Sequence, residues 1–121
     1  LQSLDHPNII KIFQIVETGS KIYFVKEYCS GGGLLDKVIE TKQISENQAA
    51  KYIRDILDVV NYCHTKNVSL YDLNPGHILL DSKNENANIK VVVGKLRENK
   101  FSKKSIADIC YMAPEMFKGE Y

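Results

Sequence analysis

An α+β fold is predicted by three observations: two strand-turn-strand patterns, one long amphipathic helical pattern between them, and a glycine run that separates the first hairpin from the helical stretch after it. The 121 residues are 44% hydrophobic and 26% charged, a balance that excludes disordered, collagen-like and low-complexity classes. Lys and Arg number 16 and Asp and Glu 15, so the formal charge is +1. That is too weak a field for phosphate-driven nucleic-acid binding, and no nucleic-acid partner is expected. Apolar runs such as Ile78 to Leu80 and Val91 to Val93 fall far short of the roughly 20 residues that span a bilayer, so no membrane association is expected.

Ile9 to Glu17 is rich in Ile, Phe and Val, Thr18-Gly19-Ser20 is a turn signal, and Lys21 to Tyr28 is again β-branched and aromatic, which predicts an antiparallel hairpin. Ser30-Gly31-Gly32-Gly33 breaks the chain as a joint between two structural regimes. Leu34 to Thr41 reads as a short helix with Leu34, Leu35, Val38 and Ile39 on one face. Ser45 followed by Gln48 fits a capping box. It opens a helix from Glu46 to Thr65, in which Ala49, Ile53, Ile56, Leu57, Val60 and Cys63 recur at three- and four-residue spacing, and which Lys66-Asn67 stops. Ile78 to Leu80, a polar turn from Asp81 to Asn88, and Ile89 to Val93 read as a second hairpin. Lys95 to Ser105 is a polar surface loop anchored by Leu96 and Phe101. Its Arg97, Lys100, Lys103 and Lys104 are read as a solvated basic face rather than a phosphate patch.

Cys29, Cys63 and Cys110 are odd in number and have no CxxC spacing, which points to reduced thiols in a cytoplasmic, intracellular setting and to no structural metal. The opening Leu1-Gln2-Ser3-Leu4-Asp5 has neither an initiator Met nor the regions of a signal peptide, so a piece of a longer chain is expected.

Four segments, taken in order, resemble the eukaryotic protein kinase domain, most closely its calcium- and calmodulin-dependent branch with the calcium-dependent protein kinases. Leu4-Asp5-His6-Pro7-Asn8-Ile9-Ile10 is similar to the stretch before the fourth strand of the small lobe. Lys21 to Gly32 is similar to the fifth strand, the hinge and the start of the large lobe. Tyr71-Asp72-Leu73-Asn74-Pro75 with Ile78-Leu79-Leu80 is similar to the catalytic loop, and Met112-Ala113-Pro114-Glu115 to the end of the activation segment. The resemblance implies a partial kinase-like fold. Residues 1–28 would supply small-lobe strands and the start of the hinge, and residues 29–121 the first half of the large lobe. It also places the glycine-rich loop, ATP-binding Lys and regulatory-helix Glu upstream of Leu1, and most large-lobe helices beyond Tyr121.

The same resemblance implies roles for single residues. Asp72 stands at the catalytic base position. Lys26 occupies the gatekeeper position, Glu27 and Cys29 would offer hinge backbone groups to an adenine, and Leu79 would lie beneath it. The departures are chemical. The HRD triplet reads Leu70-Tyr71-Asp72, so the Arg that pairs with a phosphorylated activation loop is lost, and Ser102 and Ser105 have no such receiver. Asn74 replaces the phosphate-neutralising Lys, and His77 replaces the magnesium-binding Asn. The DFG triplet reads Val93-Gly94-Lys95, and valine has no lone pair for a metal. Gly33 replaces a Glu that commonly contacts ribose or substrate, and Asp108 stands where a Thr usually bonds the catalytic Asp, so the two carboxylates would face each other. Magnesium prefers oxygen ligands in a near-octahedral shell, so neither His77 nor Val93 suits it.

The expected function is that of a degenerate kinase-like domain, a pseudokinase, that binds a protein partner or acts allosterically. The alternatives are a divergent Ser/Thr kinase that transfers the ATP γ-phosphate through Asp72, and a binder of nucleotide without magnesium. No calcium-binding hand of the form D-x-[DN]-x-[DN]-G lies in the chain.

Overall fold

The structure is a computed structural model and describes residues 3–70, 73–93 and 109–119. Strands β1 (Ile12–Glu17) and β2 (Ile22–Lys26) form a two-stranded antiparallel sheet, with Ile15 opposite Phe24 and Val16 opposite Tyr23. Thr18 closes the turn, its N–H donating to the Lys21 carbonyl at 2.8 Å and its hydroxyl accepting from the Lys21 N–H. Both strands are shorter than the sequence pattern predicts. Ile9 and Ile10 leave the hairpin because a second partner claims them: the Ile10 N–H donates to the Val91 carbonyl at 3.0 Å, and the Val91 N–H to the Asn8 carbonyl at 2.7 Å.

The second sheet has the order β3-β4-β5, built from β3 (Gly32–Gly33), β4 (Ile78–Leu80) and β5 (Ile89–Val91), all antiparallel. The glycine run expected as a joint therefore also supplies an edge strand, Gly32 opposite Leu80 and Gly33 opposite Leu79. A strand without side chains has no hydrophobic pattern from which to read it. The expected extension of β5 to Val93 is not found, because the Val92 N–H turns to the His77 carbonyl at 2.8 Å.

Helices α1 (Leu34–Thr41) and α2 (Glu46–Thr65) have the predicted bounds. Ser45 Oγ accepts the Gln48 N–H at 3.1 Å, but the Gln48 side chain donates to the Glu85 carbonyl instead of returning to Ser45, so the reciprocal half of the capping box does not form. The helix stops at Asn67, whose φ of 57° no continuing helix tolerates, while the Lys66 and Val68 N–H groups return to the Cys63 carbonyl. A 3-10 turn (Pro75–His77) leads into β4, and Pro114 opens the short α3 (Pro114–Phe117).

The core lies between α2 and the second sheet, where Val59, Cys63, Leu80, Ile89 and Val91 are the most deeply buried side chains. The helix faces differ from those expected. On α2 the covered side carries Tyr52, Val59 and Cys63, while Ile53 and Leu57 are 56% and 60% exposed. On α1 Leu34 is buried, but Leu35 and Ile39 are exposed. Both helices are apolar around more than one face, and β5 packs on α2 along only one of them. The β1-β2 sheet likewise exposes Phe13, Ile15, Tyr23 and Phe24, which occupy alternate faces.

This exposed apolar surface sets the behaviour of the isolated 121-residue chain. A lone two-stranded sheet is marginal in water. The chain by itself should bind a hydrophobic reporter dye strongly and melt over a broad range. A sharp calorimetric transition with no dye fluorescence would count against this expectation.

Candidate functional site

Three segments meet at the outer face of the second sheet: residues 26–33 leaving β2, the 3-10 turn, and the exit of β5. Strand alternation sends Ile78, Leu80, Ile89 and Val91 into the core, and turns Leu79 and its cross-strand neighbour Lys90 to the opposite face. Leu79 is half-buried there, opposite Gly33 on one side and Lys90 on the other.

Lys90 belongs to none of the motifs in the sequence, yet it is central to the folded site. Its Nζ lies 3.0 Å from Glu27 Oε1, with the two side chains 16% and 28% exposed. Glu27 Oε2 accepts the Lys11 N–H at 3.2 Å, and the Glu27 N–H donates to the Lys11 carbonyl at 2.8 Å. One carboxylate thus ties the first sheet to the second. The signal in the sequence is a charged residue between two core residues, Ile89-Lys90-Val91, although its partner 63 positions away is not legible there.

With its side chain so engaged, Glu27 keeps its carbonyl oxygen unengaged by any described residue, and so does the Cys29 N–H. An acceptor and a donor two residues apart can meet the edge of a flat heterocycle. The Cys29 side chain is buried; desolvation first and the Glu27 charge second push its thiol above the ordinary value, against the opposing Lys90 and Lys26. Lys26, the last residue of β2, is exposed and makes no hydrogen bond or ion pair with a described residue through its side chain.

Close approach holds this segment against β4. The Gly31 N–H donates to the Leu80 carbonyl at 3.0 Å, and Ser30 Oγ donates to the Asp81 carbonyl at 3.3 Å. A Cβ on Gly31 would overlap the Ser82 carbonyl oxygen and come within 2.6 Å of Leu80 Cβ.

On the loop side, Asn74 Oδ1 accepts the Gly76 N–H at 2.9 Å and so caps the 3-10 turn, while Asn74 Nδ2 lies 3.3 Å from His77 Nδ1. The Val92 to His77 backbone bond brings the turn beside the exit of β5. Val93, 8% exposed, packs into the core cluster, so the position at which the resemblance puts a metal-binding carboxylate is apolar in its surroundings as well as in its own side chain. Among the described residues no three His, Cys, Asp or Glu side chains are grouped to hold a metal. Asp72, Tyr71, Gly94, Lys95, Asp108 and the loop with Arg97, Lys100, Ser102, Lys103, Lys104 and Ser105 lie outside the described residues.

Gly31→Ala in the full-length protein should destabilise by roughly 1–3 kcal/mol, the usual cost of overpacking, read as a lower denaturant midpoint; an unchanged midpoint would mean that β4 yields freely. The Cys29 thiol, raised by burial, binds its proton more tightly in the folded than in the unfolded state. Its contribution to stability is therefore present below the ordinary thiol value and lost as pH rises through the raised one. Pulsed alkylation should label exposed Cys110 before Cys29 and Cys63, with the Cys29 rate still climbing above the pH at which an ordinary thiol has levelled off.

Comparison with known proteins gives a consistent set of relatives. Residues 1–121 match the family described as Protein kinase domain. The chain is 35% identical over 125 residues to calcium-dependent protein kinase 5 of Plasmodium falciparum (isolate 3D7), a match covering 100% of this chain and 22% of that protein. Its counterpart in Plasmodium berghei (strain Anka) is 34% identical over 125 residues with the same coverage. CBL-interacting protein kinase 11 of Oryza sativa subsp. japonica is 36% identical over 123 residues, covering 96% of this chain and 24% of that protein. The chain thus spans less than a quarter of the length of each of these relatives.

Proposed function

The chain belongs to the protein kinase family, related to calcium-dependent and other Ser/Thr protein kinases, and from that membership we propose that it is a degenerate kinase domain segment that works by binding or allosteric regulation of a protein partner. On this reading residues 1–28 are small-lobe strands and the start of the hinge, and residues 29–121 the large-lobe portion. Free thiols at Cys29, Cys63 and Cys110 suit a reducing, cytoplasmic setting. No helix among the described residues is long and apolar enough to cross a membrane.

The observation that carries the proposal is Val93. Phosphoryl transfer depends on magnesium held by an Asp and an Asn against the phosphates. Here the first place is a buried valine and the second a histidine, so the donor set does not fit magnesium. The nucleotide base fits better: the unengaged Glu27 carbonyl and Cys29 N–H need no metal. Lys26, the neighbour of Glu27 in the chain, carries a charge that a bound base would have to accommodate.

A second reading, a divergent Ser/Thr kinase using Asp72 as base, is favoured by the order that Asn74 and His77 impose on the loop immediately after it and by the names of the relatives. The two readings separate in a phosphotransfer assay on the full-length protein with labelled ATP and an Asp72→Asn control. The loss of one electrostatic stabiliser commonly costs about a hundred- to a thousandfold in rate, and three positions, Asn74, His77 and Val93, are altered. Transfer should therefore be undetectable, and magnesium should not tighten nucleotide binding. Magnesium-dependent transfer that disappears with Asp72→Asn would establish the second reading instead. The double variant His77→Asn, Val93→Asp should regain magnesium-dependent nucleotide binding before any turnover.

A further inference from the structure

A cavity of about 550 Å³ lies between the end of α1, the first two turns of α2 and the turn joining β4 to β5, and none of the residues of the site above lines it. Tyr52 and Ala87, each 3% exposed, are its most buried lining residues. Tyr52 Oη is the one described buried side-chain polar atom without a hydrogen-bond partner. A phenylalanine would fill that space without the cost of an unpaired hydroxyl, so the oxygen calls for an acceptor that the described protein does not supply.

The other lining groups define which acceptor. Lys37 makes no ion pair or hydrogen bond with a described residue through its side chain, and Lys51 Nζ reaches only the neutral Asn88 Oδ1 at 3.2 Å. The first turn of α2 enters the lining through Asn47. Ser45 caps the Gln48 N–H, which leaves the Asn47 N–H one residue earlier without a helical carbonyl to receive it. Glu85 is the lone carboxylate among the described lining residues, against two ammonium groups. The set is therefore rich in donors, net positive and placed at the end of a helix that favours negative charge.

We propose that this cavity binds a phosphomonoester, with Lys37, Lys51 and the first turn of α2 around the phosphate and the Tyr52 hydroxyl donating from the floor. A phosphomonoester carries a charge of about −1.5 to −2 at neutral pH and three acceptor oxygens, which match two ammonium groups and two separate neutral donors better than a single carboxylate does. The volume lies in the usual range for small-molecule sites and leaves room for a modest organic body. The Gln48 Nε2 bond to the Glu85 carbonyl ties α2 to the β4–β5 turn, two walls of the cavity. The phosphate is either that of a free metabolite or that of a phosphorylated side chain in a peptide. The inference stands apart from the kinase reading, since it uses none of the same residues.

The test is calorimetric titration of the full-length protein at constant ionic strength, with O-phospho-L-serine in one arm and a short phosphoserine peptide in the other. Saturable binding is expected in at least one arm, stronger with the peptide if the physiological source is a protein. Lys37→Gln and Lys51→Gln should each weaken it about tenfold, the size of a lost charge-assisted bond. Tyr52→Phe should weaken it about threefold or more while leaving the unliganded melting temperature equal or higher, whereas a hydroxyl that serves only the fold would lower that temperature and leave binding untouched. Adenosine, which carries no phosphate, should not compete. Absence of saturable binding at millimolar ligand, binding unchanged in the lysine variants, or displacement by adenosine would overturn the proposal.

Discussion

Burial of β5 against α2 is the interaction on which the remaining structure depends. Val59 and Cys63 on the helix and Ile89 and Val91 on the strand are almost wholly withdrawn from water. Each such side chain contributes about 1.5–3 kcal/mol of transfer free energy, large against the marginal net stability of a domain. The strand is held on both edges as well, antiparallel to β4 on one side and bridged in parallel by Ile9 on the other, with Asn8 Nδ2 donating to the Ile89 carbonyl at 3.0 Å. Because all but the Asn8 side-chain bond are backbone bonds in a dry setting, β5 has one register, and every segment that leaves the second sheet starts from a fixed place.

The outer face of that sheet inherits the precision. Leu79 and Lys90 point away from the core because their neighbours point into it, and the position of Lys90 decides where Glu27 can rest. Glu27 then couples the first sheet to the second through Lys11 and Lys90, and its carbonyl and the Cys29 N–H are left unengaged by any described residue. Gly31 permits the close approach of this segment to Leu80 and Ser82. The placement of this segment is thus a by-product of core packing and one partly buried ion pair.

The same alternation accounts for the burial of Val93. Ile89, Val91 and Val93 are spaced by two, and Val93 continues their direction into the apolar cluster even after regular pairing has ended. A carboxylate in that environment would be desolvated unless a cation were held beside it, whereas a valine is at home there. A valine at this position therefore suits the core.

Local features were legible in the sequence. The bounds of α1 and α2, the stop at Asn67, the two hairpins and the apolar character of Val93 come from spacing, capping residues and side-chain chemistry, which act over a few residues. Tertiary structure decided the interactions that act across the chain. It chose which apolar face of α2 is covered, because Ile53 and Leu57 satisfy the helical spacing as well as Val59 and Cys63 do and only β5 breaks the tie. It recruited a side-chain-free strand at Gly32–Gly33, which no hydrophobic pattern can announce. It diverted Gln48 from its cap to Glu85, drew Ile9 and Ile10 to β5, and paired Glu27 with Lys90. Each of these joins residues dozens of positions apart, and their energies depend on a proximity that exists only once the core has formed.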